Sequence, residues 1–441
     1  MCDVPRPVWR CPVYLLYDLI LLISAVFLIP FYLIRGLRHG KVRRGIRERL
    51  GFFLPDRLTP LRGRKVFWIH AVSVGETRAA ISLLKGLRKT YPDAALVLSN
   101  VTETGHAIAK GIKELDLCLF FPFDLSWVAR KVLRQVRPDL IIIVETEIWP
   151  NFVRISHESG IPIILVNGRI SDRSFPRYQW AKPLLKPLLQ RFSAFCMQTD
   201  LDAERIRLMG APEERVEVTR NLKFDMQASA PDLTAIAALK DLYRVPIGAA
   251  VWVAGSTHAG EEEIVIDVYR QLVAEGENLV LILVPRHPER RRAVGELLTA
   301  CGLPYVLRSE IESSRNLLRA GEVLLGDTLG EMLKFYAVAD VVFVGGSMAN
   351  IGGHNILEAC LLKKPVLFGP HMHNFKEISR LVAEVRGGVG VADGKDLLGA
   401  LRELIGNPQM RRTMGEAGYE LLQRNSGATD HTLAVISRVL G

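Results

Sequence analysis

Three acidic side chains in the first half of the chain stand just beyond apolar segments of strand length. Glu76 comes after Lys65–His70, within HAVSVGET. Glu145 and Glu147 come directly after Leu140–Val144, within ETEIWPN. A carboxylate in such a place can accept the proton of an attacking hydroxyl group, as a general base does. Each also has a structural alternative: Glu76 would complement a helix dipole, which lowers its pKa, and Glu147 would cap a helix.

Groups that suit an anion follow apolar segments later in the chain. Lys223 lies in NLKFD, where a solvated surface amine is the alternative interpretation, and Arg286 lies in VPRHPER. A guanidinium group binds phosphate oxygens in pairs. The segments 326–332 and 352–358 each open a predicted helix, whose free N–H groups can hold an anion. Acids in one half and anion-binding groups in the other indicate transfer from a charged, activated donor to a hydroxyl of a lipid acceptor.

Several familiar motifs do not occur in the sequence. The glycine-rich segment 345–358 does not match GxGxxG and lacks the Lys-Ser/Thr of an ATP-binding loop, and neither GxSxG nor HExxH is found. His354, His371 and His373 fit no zinc-site spacing, so we predict no metal and no cofactor. The six cysteines form no CxxC pair, which is typical of reduced thiols in a cytosolic compartment.

The candidate residues lie at the ends of predicted strands. Apolar runs alternate with amphipathic stretches of helix length, which is the βαβ pattern of a doubly wound parallel sheet. The predicted strands are Lys65–His70, Ala95–Ser99, Leu117–Phe121, Leu140–Val144, Pro162–Val166 and Ala194–Met197, then Ala250–Ala254, Leu279–Val284, Glu322–Leu325, Val341–Gly345, Pro365–Phe368 and Gly388–Val391. Two such series predict two Rossmann-like α/β domains facing each other across a cleft, where ligands bind at strand ends.

The pattern also predicts domain boundaries. We place an N-terminal anchor at 1–35, a first Rossmann-like domain at 36–225, a linker at 226–248 and a second Rossmann-like domain at 249–441. The linker contains the small, polar segment QASAP. The last predicted helix, His431–Leu440, could cross back onto the first domain.

A run of 22 mostly apolar residues, Val13–Ile34, lies near the start of the chain. As a helix it would extend about 33 Å, enough to cross a bilayer. A basic cluster follows, which predicts that the rest of the chain is cytoplasmic. Asp18 is unfavourable at membrane depth, so a helix lying in the membrane surface is an alternative to a spanning one. A secretory signal and a buried helix are weaker alternatives.

Length and composition agree with a large globular enzyme at a membrane. The chain has 441 residues, of which 49% are apolar, and this is ample for two or three domains. The net charge is +10, and much of the excess lies beside the apolar run, where anionic lipids would attract it. Nucleic acid is not a predicted partner, because no basic-aromatic module recurs later in the chain.

Taken together, the motifs resemble those of the lipid A Kdo transferases, the 3-deoxy-D-manno-octulosonic acid (Kdo) transferases of lipopolysaccharide assembly. The resemblance rests on IHAVSVGETRAA, VETEIWPN, NGRIS, NLKFD, STHAGEEE, VPRHPER, GDTLGEM, VGGS, GGHNILEA and GPHMHNFKEI. It implies the GT-B fold, two Rossmann-like domains with the active site between them, which agrees with the organisation predicted above. Two departures are small: Arg220 stands where glycine is more usual, and Gly168 where alanine often stands.

The resemblance also implies an activity and residue roles. The donor would be CMP-Kdo, the acceptor a tetraacylated lipid A precursor, and the reaction inverting and metal-independent. Glu76 resembles the general base, and Glu145 and Lys223 resemble a pair that stabilises the transition state. The positions that resemble the CMP site are Pro285, Arg286, Leu329, Gly330, Glu331, Asn355, Ile356, Leu357 and Glu358.

Two other functions remain open from the sequence. One is another GT-B enzyme that uses a UDP-sugar, including a sugar-nucleotide epimerase. The other is a non-catalytic adaptor that binds anionic lipids through the basic segment. The number of Kdo residues transferred is not encoded in these motifs.

Overall fold

A computed structural model describes residues 13–24, 45–54, 56–226, 231–313, 318–319 and 321–441. The chain forms two compact units. The first contains the chain up to Asp225 together with Ser426–Gly441, and the second contains Met226–Asn425. Of the predicted linker, the described part includes a helix, Leu233–Leu242.

The first unit is built on a parallel sheet of seven strands in the order β3-β2-β1-β4-β5-β6-β7. The strands are β1 Val66–His70, β2 Ala95–Asn100, β3 Leu117–Phe120, β4 Leu140–Val144, β5 Ile163–Gly168, β6 Ala194–Met197 and β7 Val216–Val218. Its helices are 13–24, Ile46–Arg49, Val74–Thr90, Glu103–Ala109, Ser126–Val136, Pro150–Glu158, Phe175–Trp180, Lys182–Leu189, Asp200–Met209 and Ala428–Leu440.

Both faces of this sheet are covered, which explains why its strands are continuously apolar. Trp68 and Ile141 pack in the core on one face, whereas Phe67 and Ile142 pack in the core on the other. Side chains alternate along a strand, so a strand covered on both sides must be apolar at every position. The strand order reverses between β1 and β4, and the segments that follow these two strands are therefore neighbours.

The second unit repeats the plan with a parallel sheet in the order β10-β11-β9-β8-β12-β13-β14. Its strands are β8 Ala250–Thr257, β9 Leu279–Pro285, β10 Tyr305–Leu307, β11 Val323–Leu325, β12 Val341–Val344, β13 Val366–Phe368 and β14 Gly388–Gly390. Its α-helices are Leu233–Leu242, Glu261–Ala274, Arg291–Ala300, Met332–Val338, Leu357–Leu361, Lys376–Glu384, Gly394–Gly406 and Pro408–Asn425. Here the order reverses between β8 and β12.

All twelve predicted strands are found within the described residues, with ends that differ by three residues or fewer. Two strands, β7 and β10, were not predicted from the sequence. They lie at sheet edges and have three residues each. A three-residue strand is shorter than the window over which hydrophobic periodicity can be recognised.

The last helix, Ala428–Leu440, packs on the first unit. The carboxylate of Asp225 accepts the backbone N–H of Gly427 at 2.7 Å and also that of Thr429. A β-carbon at Gly86 would lie 2.8 Å from Leu433, so a glycine there allows the last helix to approach the helix Val74–Thr90 closely.

The helix 13–24 is attached to the first unit through its polar side chains. The hydroxyl of Tyr17 donates to Asp124 at 3.1 Å, and Asp18 accepts the side-chain amide of Asn151 at 2.7 Å. The other side of the helix is exposed: Leu15 73%, Leu16 55%, Leu19 52%, Ile20 51%, Leu22 47% and Ile23 50%. Asp18, which is unfavourable at membrane depth, therefore forms a hydrogen bond with the first unit, whereas the exposed apolar residues face outward.

The predicted membrane helix Val13–Ile34 is described only in part, because residues 25–34 lie outside the described residues. None of the helices in the described parts of the chain has both the length and the apolarity needed to cross a membrane.

Asp18→Ala should loosen the attachment of helix 13–24, because it leaves the Asn151 amide without this carboxylate acceptor. The expected loss is about 1–3 kcal/mol of local stability, the usual cost of removing one charged hydrogen-bond partner. Hydrogen exchange of residues 13–24 in detergent should accelerate at least several-fold. Leu19→Ala, which trims a half-exposed side chain of the same helix, is the control. Equal exchange in the two variants would contradict this attachment.

Candidate active site

Glu76 lies in the first turn of the helix Val74–Thr90, directly after the loop that follows β1. One oxygen of its carboxylate accepts the N–H of Val72 at 2.6 Å, and the other accepts the hydroxyl of Ser73 at 2.8 Å. The side chain is 7% exposed. These bonds fix the carboxylate at the carboxyl end of the central strand.

The pKa of Glu76 is raised to about 7, first by burial and then by the neighbouring carboxylate of Glu145. The prediction that the helix dipole would lower this pKa is wrong, because burial and charge repulsion outweigh the dipole and the two hydrogen bonds. A carboxylate with a pKa near 7 is a much better proton acceptor than an ordinary glutamate and is still substantially ionised at neutral pH.

Glu145 follows β4 and lies beside both Glu76 and Lys223. The Nζ atom of Lys223 is 3.6 Å from Oε1 of Glu145. Burial and then Glu145 also raise the pKa of Glu147. Glu145 has a φ of 61°, a left-handed conformation that is costly for a residue with a β-carbon. Strain of this kind is concentrated at functional sites.

A network of amide side chains positions Lys223. The side-chain oxygen of Asn221 accepts the N–H of Lys223 at 3.0 Å, and that of Asn167 accepts the N–H of Leu222 at 2.9 Å. Gln198 joins the two asparagines: it accepts the Asn221 amide at 3.0 Å and donates to the Asn167 carbonyl at 2.9 Å. Gln198 was not predicted as a site residue, although it is a polar residue placed directly after the apolar strand β6.

His70, the last residue of β1, is neutral and structural. Its side chain is fully buried, which lowers its pKa to about 3. The indole N–H of Trp149 donates to Nε2 at 3.1 Å, and Nδ1 lies 3.1 Å from the hydroxyl of Ser99. His70 therefore holds Trp149, the residue that directly precedes the helix Pro150–Glu158 and ends the ETEIW segment. This role was not predicted.

The two departures from the family pattern have local explanations. Arg220 has a φ of 69°, which is the conformation that favours glycine. A β-carbon at Gly168 would lie 2.5 Å from both Leu165 and Met197, so alanine there requires these side chains to move. Both positions lie near the amide network, and neither changes the Glu76, Glu145 and Lys223 cluster.

In the second unit, the predicted nucleotide-binding positions lie at or near the carboxyl ends of the strands. Pro285 ends β9, and the N–H of Arg286 donates to the carbonyl of Thr257 at the end of β8 at 2.9 Å. This bond fixes the backbone from which the Arg286 guanidinium extends.

The segment Leu329–Glu331 precedes the helix Met332–Val338. Leu329 is 81% exposed, and Gly330 has a φ of 79°. Glu331 accepts the Thr328 hydroxyl at 2.5 Å and pairs with Arg308 at 3.2 Å. Partial burial opposes ionisation, but these two partners hold the pKa of Glu331 below its ordinary value. The carboxylate of Glu331 is thus engaged within the chain.

The segment Asn355–Glu358 opens the short helix Leu357–Leu361. Ile356 and Leu357 are fully buried, so any nucleotide contact at these two positions would involve the backbone rather than the side chain. Asn355 accepts the N–H of Leu357 at 3.2 Å through its side-chain oxygen.

Histidines of the second unit form a pair rather than a metal site. Nε2 of His258 lies 2.9 Å from Nε2 of His354, and the ring of His287 is 5.9 Å from that of His258. Burial lowers the pKa of His258. Within the described residues, no three His, Cys, Asp or Glu side chains are grouped to hold a metal ion.

Glu76→Gln should stabilise the first unit in a pH-dependent way. Between the ordinary pKa of 4.5 and the folded value of about 7, the folded chain holds a proton that the unfolded chain has lost. The stability contributed by this group therefore falls as pH rises through that window. Glutamine carries no charge, so the variant should gain a few kcal/mol over the wild type above pH 7.

Urea unfolding at pH 4.5, 6 and 8 measures this difference. Glu103→Gln, which removes an exposed carboxylate from another helix start, is the control and should change stability little. A Glu76→Gln effect of the same size at all three pH values would show that the folded pKa is not raised.

Comparisons with known proteins identify the family. Residues 44–226 match the family described as 3-deoxy-D-manno-octulosonic-acid transferase (kdotransferase). The 3-deoxy-D-manno-octulosonic acid transferase of Haemophilus influenzae is 34% identical over 96% of this chain and 98% of its own length. The enzyme of the same name from Bordetella pertussis is 33% identical over 85% of this chain and 87% of its own.

Solved structures support the fold. The UDP-GlcNAc 2-epimerase of Neisseria meningitidis superposes with a TM-score of 0.57 at 13% identity, covering 85% of this chain and 100% of that one. At that identity the similarity concerns the fold alone, and it agrees with two parallel-sheet α/β domains of the GT-B type. From the relatives with high coverage, we conclude that the chain belongs to the 3-deoxy-D-manno-octulosonic acid transferase family and is a glycosyltransferase.

Proposed function

We propose that this protein transfers Kdo from CMP-Kdo to a hydroxyl of a tetraacylated lipid A precursor, lipid IVA, with inversion and without a metal ion. The observation that carries the proposal is the cluster of Glu76, Glu145 and Lys223 at the carboxyl ends of the strands of the first unit. The family supports the transfer of Kdo, and the cluster supplies a base for an acceptor hydroxyl.

In the proposed reaction, the acceptor hydroxyl attacks the anomeric carbon of Kdo while the bond from that carbon to the phosphate oxygen breaks. Glu76 takes the proton of the hydroxyl, and CMP leaves with the bonding electron pair. A single displacement of this kind inverts the configuration. A well-placed base contributes roughly 10²–10⁴-fold to such a rate.

Glu145 has two roles in this scheme. Its charge raises the pKa of Glu76, which makes Glu76 a stronger base. It also holds the Lys223 ammonium group at 3.6 Å, so that a cation is available to offset negative charge that develops during the transfer. The contact with Lys223 supports one role for an acid that faces an anionic donor, the orientation of a neighbouring cation.

The second unit would bind CMP through the predicted positions. Arg286 suits a phosphate oxygen, and the backbone of Leu329–Glu331 and of Asn355–Glu358 offers N–H groups. Glu358 would accept hydroxyl groups of the ribose, as acids do in other nucleotide folds.

We also propose that the protein works at the cytoplasmic face of the inner membrane, in contact with anionic lipids. Helix 13–24 exposes seven large apolar side chains, including Val13, and a basic sequence follows it from residue 35. The consecutive helices Phe175–Trp180 and Lys182–Leu189 add Trp180, 86% exposed, and Leu184, 61% exposed, beside Lys182 and Lys186. Exposed aromatic and aliphatic side chains next to lysines are typical of a surface that lies on a membrane.

The direct test is an assay of purified protein with CMP-Kdo and lipid IVA, with the product identified by mass spectrometry. Kdo-bearing lipid supports the proposal. Transfer from a UDP-sugar but not from CMP-Kdo would show that the proposed donor is wrong. If the protein binds lipid but transfers sugar from neither donor, the non-catalytic adaptor is favoured. Glu76→Gln should reduce the rate by about 10²–10⁴-fold.

The pH dependence of the reaction should report Glu76. Because only the ionised carboxylate accepts a proton, kcat/KM for the acceptor should fall about tenfold per pH unit below pH 7 and level off above it. Glu145→Gln removes the charge that raises this pKa, so its residual activity should fall off at a lower pH. An acidic limb near pH 4.5 in the wild type would contradict the assignment of Glu76 as this base.

A further inference from the structure

The second unit contains a fully buried carboxylate, Glu261, that none of the steps above uses. It is the first residue of the helix Glu261–Ala274. Its two oxygens accept five backbone N–H groups, from His258 at 3.0 Å, Gly346 at 2.7 Å, Ser347 at 2.9 Å, Met348 at 2.8 Å and Ala349 at 3.1 Å. Four of these donors belong to one loop, 346–349.

The fold brings the carboxylate and the loop together. Glu261 follows β8 and the loop follows β12, and these strands pair side by side up to Gly255 and Val344. A β-carbon at Gly345 would lie 2.6 Å from the carbonyl oxygen of Ser256 and 2.8 Å from the Glu261 carboxylate, so glycine is required there. Gly346 has a φ of 66°, which turns consecutive N–H groups toward the carboxylate.

The loop in turn holds the predicted nucleotide-binding segment. The N–H of Gly353 donates to the carbonyl of Gly346 at 2.7 Å, just before Asn355–Glu358. The N–H of His371 donates to the carbonyl of Ser347 at 2.8 Å, and the N–H of Gly369 donates to the Ser347 hydroxyl at 2.8 Å. Glu261 therefore supports, through one loop, the backbone on both sides of the segment.

A second connection runs through His258. Its backbone N–H is bound by Glu261, and its ring contacts that of His354 at 2.9 Å. His354 directly precedes Asn355. The same carboxylate thus reaches the nucleotide-binding segment by two routes, one through the backbone and one through the paired histidines.

We propose that Glu261 is a positioning residue for the donor. It acts as a built-in anion that organises the loop 346–349 and so fixes the backbone at Asn355–Glu358. This inference rests on the proposed nucleotide-binding role of that segment.

The geometry predicts which substitutions of Glu261 lose the contacts with the loop 346–349. One oxygen of Glu261 accepts two N–H groups and the other accepts three. Glutamine would turn an NH₂ group, which only donates, toward N–H donors on one side. Aspartate keeps the charge but is one methylene shorter, so it cannot keep all five contacts.

Glu261→Gln tests the proposal, and Glu263→Gln is the matched control. Glu263 lies on the same helical turn and accepts the N–H of Gly260 at 2.9 Å, at the surface. CMP affinity is measured by calorimetry, and KM for CMP-Kdo and for lipid IVA by the transfer assay. We expect Glu261→Gln to weaken CMP binding and raise KM for CMP-Kdo at least tenfold, with KM for lipid IVA within twofold. The control should match the wild type.

Amide NMR supplies a readout that does not depend on the donor. The N–H protons of residues 346–349 should resonate downfield in the wild type and move upfield together in Glu261→Gln. Unchanged CMP affinity with a folded Glu261→Gln chain, or an equal loss in Glu263→Gln, would overturn the inference. If Glu261→Gln does not fold, CMP affinity is measured for Glu261→Asp, which keeps the charge but not all five contacts. A loss of CMP affinity supports the inference, and an unchanged affinity overturns it.

The donor itself is tested separately with wild-type protein. If it binds UDP instead of CMP, the proposed donor is wrong, and the Glu261 comparison is then made with UDP. A tenfold loss of UDP affinity in Glu261→Gln would still support the positioning role, and an unchanged affinity would overturn it.

Discussion

The candidate active site depends on the repulsion between two carboxylates, Glu76 and Glu145, placed side by side where the strand order of the first sheet reverses. Burial alone would favour the neutral form of either acid. The Lys223 ammonium group lies 3.6 Å from Glu145, and the hydrogen bonds from Val72 and Ser73 favour the ionised form of Glu76 but do not outweigh burial and the charge of Glu145. Burial and then the charge of Glu145 raise the pKa of Glu76, and an ordinary carboxylic acid becomes a base suited to neutral pH.

Holding two like charges together has a structural cost, and the surrounding chain fixes the segments that carry these charges. Glu145 adopts a left-handed backbone, Lys223 is fixed through the asparagine and glutamine network, and Trp149 is held by the buried His70. In the second unit, by contrast, the buried carboxylate of Glu261 has no like-charged partner in this contact set and is stabilised by five backbone N–H groups. The carboxylate pair follows β1 and β4, and Glu261 follows β8. In each sheet the strand order reverses at these strands, and doubly wound folds bind their ligands at such positions.

Much of this was predictable from the sequence. Apolar runs predicted twelve of the fourteen strands in the described residues because those strands are covered on both faces, and polar residues after them or before the predicted linker indicated the acids and Lys223. The raised pKa of Glu76 was not predictable, because it depends first on burial in the folded unit and then on the proximity of Glu145, which lies 69 residues later in the chain. The role of Glu261 was not predictable either, because four of its five N–H donors lie in the distant loop 346–349. From the sequence alone, an acid at a helix start is interpreted as a residue that complements the helix dipole. The contacts of Asp18 show the same limit, since its partner Asn151 is distant in the sequence.

The most direct measurement of the central claim is the ionisation of Glu76 itself. Selective ¹³C labelling of glutamate carboxyl groups, with assignment by Glu76→Gln, allows its titration to be followed by NMR in the wild type and in Glu145→Gln. We expect a titration midpoint near pH 7 in the wild type and a distinctly lower one in Glu145→Gln. A midpoint near the ordinary value of 4.5 in the wild type, or the same midpoint in both proteins, would contradict the account.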